Sequence, residues 1–293
     1  MESINCPLCQ QPSQSSWIRV SDRLNPDPDK KYNISKCECG FMFLNPRYNE
    51  DEVSEFYQSD GYDPHASDSA SLYRQIYKMV MKLALFLKFK TINQYVQNGR
   101  LLDIGGGSGD FCRYFKDKDW DATMLDTSEN ARRNAETLGI ATISTFSQIQ
   151  DDIQYDLITM WHSLEHIHDL ESLFENIRTH LKPNGYLIIA VPNIRANEQS
   201  YYADTWAPFD APRHLYHFSP ETLKQLLDKN NFKIIQSLPL YQDTPYNILH
   251  SLPDRSVDQI LKALYVWMSS WAKIFFKGNY FSSSMEVVCT IKS

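Results

Sequence analysis

At 293 residues, with 42% apolar and 13% aromatic content, the chain can bury one large core and a small second one. Its 36 acidic and 29 basic residues leave a net charge of −7. That balance opposes nucleic acid as the main partner, because phosphate contacts need a basic face. Residues 1–10 lack the basic start and apolar run of a secretory leader. Two greasy stretches, 79–89 and 261–276, are broken by Lys82, Lys88, Lys262 and Lys273. Both fall short of the ~20 apolar residues a bilayer span needs, so no transmembrane segment is predicted. The chain reads as cytoplasmic, with reduced thiols.

Residues 1–48 hold four of the six cysteines, Cys6, Cys9, Cys37 and Cys39, in a polar, loop-like context. Cys6-Pro7-Leu8-Cys9 and Cys37-Glu38-Cys39-Gly40 resemble the two knuckles of a zinc ribbon. Four thiolates around one Zn2+ make a closed structural site that can hold a module too small to fold by its core alone. The second pair is one residue short of the usual gap, and four reduced, unligated thiols are the competing reading. Cys112 and Cys289 read as core residues.

Residues 49–98 read as a helical lead-in and pocket cover, with a helix start over 50–55 and a long helix over 71–97. Leu72, Ile76, Met79, Val80, Leu83, Leu87 and Ile92 roughly follow helical spacing there. From Gly99 to the end, strands are predicted at 100–104, 122–125, 141–144, 155–160 and 186–191. Helices over 111–118, 129–138 and 170–181 lie between them, and Lys182-Pro183-Asn184-Gly185 is read as a stop. Such alternation predicts parallel strands with crossover helices. Residues 193–218 read as a long aromatic loop, after which Ser219 caps a helix with Pro220 at its first position. Strands 232–238 and 286–291 close the pattern, around an insertion at about 240–282. Its helix, 257–276, reads as a pocket cover or homodimer contact rather than a membrane anchor.

Strand 100–104 runs into Gly105-Gly106-Gly107-Ser108-Gly109. Glycines after a strand permit a tight turn and close approach of backbone to a ligand. The dinucleotide fingerprint fails, because its sixth position is Asp110, and no Gly-Lys-Ser/Thr of a P-loop follows. The loop instead resembles motif I of class I S-adenosylmethionine-dependent methyltransferases, here Asp103, Gly105, Gly107 and Gly109. An acidic residue suits a cationic sulfonium with an amino acid tail. The resemblance places Asp103 near the methionine amino group, with the glycines as the floor. Asp126, 23 residues after Asp103, ends the next strand, where a carboxylate can accept bonds from both ribose hydroxyls. Its competing role is a turn residue capping the helix after Thr127-Ser128. Thr127, Trp161 and His162 complete the candidate cofactor contacts, and residues 145–148 are expected near the adenine.

His162-Ser163-Leu164-Glu165-His166 also fits the H-x-x-E-H pattern of inverted zinc proteases, which needs both histidines on one helix face. Here it follows directly on strand 155–160. The run from Asp156-Leu157-Ile158 through Leu164-Glu165-His166-Ile167 instead resembles the fourth-to-fifth-strand passage of the class I family. The whole order of features resembles a group of bacterial methyltransferases with an N-terminal zinc ribbon, most strongly over 99–221. Within it, Ala211-Pro212-Arg213-His214-Leu215-Tyr216-His217-Phe218-Ser219 resembles the E-H-L-x-Y-F-S segment of deoxysugar C-methyltransferases. His214 falls at the histidine proposed to act in catalysis there, and Arg213 replaces the glutamate.

The resemblance implies a doubly wound, Rossmann-like α/β fold of seven mostly parallel strands with an antiparallel last strand. It implies S-adenosyl-L-methionine as cofactor, a structural Zn2+, and a small-molecule acceptor, such as a sugar nucleotide or glycan precursor, methylated on carbon or oxygen. His214 and His166 are candidates for base or substrate orientation, with Tyr62 and Tyr57 closing the pocket. A structural role is the competing reading for each histidine. RNA methylation is the alternative function, opposed by the acidic charge and by Met160-Trp161-His162-Ser163 where base methylases carry Asn/Asp-Pro-Pro-Tyr. A non-catalytic S-adenosylmethionine-binding protein is the third reading.

Overall fold

The computed structural model describes residues 1–12, 15–57 and 72–292. Its first elements are three antiparallel strands, β1 (Ser15–Val20), β2 (Tyr32–Lys36) and β3 (Met42–Leu44). The sequence reading had this stretch as loop, since strands of three to six residues carry little periodicity. Helix α1 (Glu50–Val53) starts at a capping box between Asn49 and Glu52. Helix α2 (Leu72–Ile92) turns Leu85, Phe89 and Ile92 onto Phe111 and Phe115. It stops at Ile92 rather than 97, and the following turn brings Tyr95 to 5.2 Å from the Tyr186 ring.

The strand-and-helix alternation then unfolds as β4 (Arg100–Ile104), α3 (Asp110–Lys116), β5 (Asp121–Leu125), α4 (Glu129–Thr137), β6 (Ala141–Ile143), β7 (Tyr155–Trp161), α5 (Leu170–His180) and β8 (Leu181–Pro192). After β8 come α6 (Gln199–Tyr202), β9 (Tyr216–His217), α7 (Pro220–Lys229), β10 (Phe232–Pro239), α8 (Asp243–His250), α9 (Val257–Lys277) and β11 (Ser284–Ile291). Seven strands form one sheet in the order β10-β11-β8-β7-β4-β5-β6. Strand β11 runs antiparallel to both neighbours, and the other pairings are parallel. The predicted fold class is therefore the observed one. Chain order departs in opposite directions from β4, so the glycine loop opens at the topological switch point where doubly wound sheets bind ligands.

Two details differ from expectation. Lys182-Pro183-Asn184-Gly185 does not separate α5 from the next strand: Tyr155 pairs with Leu181 and Leu157 with Tyr186, so the tetrapeptide bulges out of one continuous strand. Proline and glycine are tolerated there because the bulged residues need no ladder bonds. The long aromatic loop, in turn, contains β9, which pairs with β3 through Met42↔His217 and Phe43↔Tyr216. The N-terminal sheet thus has four strands, and Phe41, Phe43, Tyr216 and Phe218 pack together beneath it.

Candidate active site

The glycine loop is shaped by what it touches. Gly105 has φ +73°, and a Cβ there would lie 2.5 Å from the Ser163 Cβ. Ser163 Oγ in turn donates to the Ile104 carbonyl at 2.7 Å, fixing the end of β7 to the end of β4. Gly109, at φ +77°, heads α3 with Ala135 2.8 Å from any added Cβ. Gly107 differs: at φ +55° it has no atom within 4 Å of an added Cβ, so the loop opens on space there. Two glycines therefore serve packing, and the third leaves room for a ligand.

Asp103 is buried and accepts from Thr159 Oγ1 at 2.7 Å. Burial pushes its pKa up to about 6, against the Thr159 bond and the Lys88 charge. Asp126 accepts from the Gly107 N–H at 3.0 Å with one oxygen and from the Ser128 N–H at 2.9 Å with the other. The turn-capping role is therefore present, yet each oxygen keeps a lone pair for a further donor. Beside it a cavity of about 840 Å³ is lined by Ile104, Leu125, Thr127, Thr145 and Phe146. Its exposed surface is mainly apolar, with Ser144, Ser147, Asp151, Asp169 and Asn176 at its polar margin, as a nucleobase requires. These residues fit S-adenosylmethionine: room above Gly107, an acid at each of the β4 and β5 positions, and the cleft beyond Thr127.

At the end of β7, Trp161 carries the Lys88 ammonium 3.8 Å from its ring centroid. His162, in the left-handed region at φ +54°, places Nε2 2.9 Å from Asp243 and Nδ1 3.6 Å from Glu165. Burial opposes its charge, but Asp243 and then Glu165 outweigh it and push the pKa up to about 10. Lys88, Asp243 and the buried Glu286 were not singled out in the sequence. Glu286 had a signal, a lone acid among Met285, Val287 and Val288 in an apolar strand. Lys88 stood three residues after Leu85 on the inward face of α2. Asp243 had none, because its partner lies 81 positions earlier in the chain.

Leu164–His166 is a single 3₁₀ turn, not a helix, so the H-x-x-E-H spacing does not place both histidines on one helical face. The protease reading has no support. His166 and His214 meet edge to face with centroids 4.6 Å apart. His166 Nδ1 lies 3.1 Å from the Arg213 carbonyl and 2.8 Å from the Tyr57 hydroxyl. His214 Nδ1 lies 2.7 Å from the Pro208 carbonyl. A carbonyl only accepts, so the Pro208 contact puts the His214 proton on Nδ1 and leaves its Nε2 lone pair available, whereas His166 Nδ1 faces both an accepting carbonyl and a hydroxyl that can donate or accept. Glu165, fully buried, brings a carboxylate oxygen within 4.8 Å of both imidazoles. Burial opposes its ionisation, yet His162 and His214 hold its pKa down at about 2. Burial and the nearby His214 pull His166 down to about 4, so it is neutral at pH 7.

Arg213 does not face this pocket. It is fully buried and bonds Asp22 at 2.7 Å and Asp210 at 3.0 Å, tying the N-terminal module to the loop that carries His214. Arg213 is therefore a structural clamp. Tyr62 lies outside the described residues. Elsewhere in the core Glu198 Oε1, Tyr202 OH and Trp206 Nε1 are buried without a hydrogen-bond partner, as is Nε2 of His217.

The four N-terminal sulfurs lie within 4.8 Å of one another, with Cys6–Cys39 at 3.6 Å and Cys9–Cys37 at 3.4 Å. A tetrahedral ion with metal–sulfur bonds of ~2.3 Å needs edges of about 3.8 Å, so the set fits Zn2+. The shortened Cys37–Cys39 spacing is accommodated by Gly40 at φ +89°, whose N–H donates to the Cys37 carbonyl at 2.9 Å.

A profile of the methyltransferase domain family matches residues 73–237. The chain is 22% identical over 185 residues to a ubiquinone biosynthesis O-methyltransferase of Rickettsia conorii, covering 58% of this chain and 63% of that one. It is 23% identical over 162 residues to the Rickettsia felis protein of the same name, covering 50% and 66%. The chain thus spans less than two thirds of the length of either relative. Among solved structures, an S-adenosylmethionine-dependent methyltransferase from Clostridium acetobutylicum superposes with a TM-score of 0.45 at 12% identity, over 75% of this chain and 98% of that one.

Proposed function

We propose that this chain, which belongs to the methyltransferase domain family and is an S-adenosylmethionine-dependent enzyme, methylates a hydroxyl oxygen of a small, hydroxyl-rich acceptor of the sugar nucleotide or glycan precursor class. One observation carries the reading: two imidazoles in edge-to-face contact beside a buried carboxylate, that of His214 with its Nδ1 proton held by the Pro208 carbonyl and its Nε2 available. When bound, the cofactor supplies an electrophilic methyl group on a positively charged sulfur. Gly105, Gly107 and Gly109 would form its floor, Asp103 would lie toward its amino group, and Asp126 would accept from its ribose hydroxyls. Thr127 would flank the nucleoside, and Trp161 and His162 would border the methionine end.

His214 accepts the acceptor's hydroxyl proton at Nε2 as the oxygen is alkylated, and Glu165 balances the imidazolium formed. His166 orients the hydroxyl and stays neutral. Tyr57, against His166, closes the pocket, and Tyr62 is proposed to do the same. Oxygen as the acceptor atom agrees with the names of the curated relatives. A nucleic acid acceptor is disfavoured by the net charge of −7. In the same reading, residues 1–48 form a zinc-ribbon module in which Cys6, Cys9, Cys37 and Cys39 hold a structural Zn2+.

The test is turnover of a sugar-nucleotide panel, read as a 14-dalton (about one methylene) mass gain. His214→Asn is expected to lower kcat by about a hundredfold or more while leaving cofactor affinity intact, and Asp126→Ala to do the reverse. Wild-type kcat in His214→Asn would remove the base assignment.

A further inference from the structure

We propose that helices α2 and α9 form a docking face for an anionic lipid bilayer, on which the protein lies without crossing it. The inference holds whichever acceptor is methylated. Helix α9 turns Ala263, Val266, Ser270 and Ile274 inward, at the spacing of one helical face. A helix that buries one face in a water-soluble protein presents charges on the other. Here the outer face is apolar as well: Val257 is 74% exposed, Leu261 61%, and Phe275 and Phe276 82% and 80%. Helix α2 repeats the arrangement, burying its Leu85–Phe89–Ile92 face while Met79, Leu83, Phe86 and Leu87 stand in solvent. Large apolar side chains exposed in such number along two helices mark an interaction site.

Charge identifies the occupant. The two helices, 21 residues each, contain eight of the chain's basic residues and a single acid, Asp258. They therefore carry +7 within a chain whose total is −7. Lys82, Lys90, Lys262 and Lys277 are exposed beside the apolar stripes. Lysines flanking an apolar face, together with the exposed Tyr265, Trp267 and Trp271, match the chemistry of an interfacial helix against anionic headgroups. A second copy of the chain would set Lys82, Lys90, Lys262 and Lys277 against the same lysines, so self-association through this face is electrostatically opposed. Among the described residues no helix is long and apolar enough to cross a membrane.

The helices also share an end of the molecule. Lys88 of α2 lies over Trp161, and Asp243, heading the α8 helix that packs on α9, pairs with the adjacent His162. Helix α2 thus meets the carboxyl end of β7 directly, beside the glycine loop, and α9 is joined to it through α8.

Vesicle co-sedimentation of the full chain tests this. Vesicles containing phosphatidylglycerol should bind it, pure phosphatidylcholine vesicles should bind it at least tenfold less, and 0.5 M salt (roughly a 4 Å screening length) should weaken the binding. Leu261→Glu/Phe275→Glu and, separately, Lys262→Glu/Lys277→Glu should each lower partitioning at least tenfold while circular dichroism is unchanged. Equal binding to both vesicle types, no binding, or indifference to both double variants would overturn the proposal. So would light scattering that shows a dimer, in vesicle-free solution, dissociated by the same substitutions.

Discussion

Replacing Arg213 by leucine isolates the clamp between the N-terminal module and the His214 loop. The guanidinium is fully buried and makes four contacts: Nε and Nη2 to the two Asp210 oxygens at 3.0 Å each, and Nη2 and Nη1 to the two Asp22 oxygens at 2.7 and 3.4 Å. Both acids are themselves buried. Removing the cation leaves two desolvated carboxylates with only the Arg23 guanidinium at 3.4 Å from Asp210 and the Leu24 N–H on Asp22, and losing the partner of a buried pair costs about 3–5 kcal/mol. The Asp210 pKa gives an independent measure. Burial opposes its charge, but Arg213 holds it at about 2 against an ordinary 3.8. At about 1.4 kcal/mol per tenfold, that is roughly 2–3 kcal/mol, fully present above the unfolded value and lost as pH falls through the folded one. Urea unfolding at pH 7 should therefore show Arg213→Leu destabilised by about 3–5 kcal/mol. In the variant, burial acts on Asp210 with only the Arg23 and His214 charges left to oppose it, so its pKa should rise and the gap should narrow as pH is lowered from 7 to 5. Asp22→Asn/Asp210→Asn/Arg213→Leu, which removes the charges together, should recover at least half of the loss. Stability of Arg213→Leu within about 1 kcal/mol of the parent, or a triple variant no better than the single one, refutes the reasoning.

Glu286 predicts a pH dependence of opposite sign. Burial raises its pKa to about 7 from an ordinary 4.5, with Lys88 opposing, so the folded state holds the extra proton between those values. Stability from this group falls as pH rises through that window, by up to about 3 kcal/mol, and Glu286→Gln should flatten the slope in thermal scans from pH 4.5 to 7. Chelation of the cysteine cluster tests the zinc assignment: metal analysis should find about one ion per chain, and its removal should lower the melting temperature. Far less than one ion in reduced protein, or an unchanged melting temperature after removal, counts against it.

The doubly wound sheet was legible because its signals are local. Strand β4, the glycines after it and Asp126 at the end of β5 lie within a span of 27 residues, and turn geometry demands particular residue types there. The N-terminal strands were not legible, because β3 finds its second neighbour in β9, some 170 residues further on. A two-residue strand has no periodicity to read. The stop at Lys182-Pro183-Asn184-Gly185 was read from residue chemistry alone, and a bulge satisfies the same chemistry without ending the strand. At the site, His166, His214 and Asp103 were named from motif positions. The Lys88 and Asp243 partners were missed because both contacts join distant elements. Arg213 was noticed as a departure from a pattern, but only its surroundings reveal what it holds.

The pairing of β9 with β3 begins two residues after His214. A truncation that removed the cysteine knuckles would leave that short strand with an open edge and the preceding histidine on an untethered segment. The N-terminal fingers are better regarded as scaffolding for the chemistry than as an appendage, and an engineered minimal enzyme would have to rebuild that support.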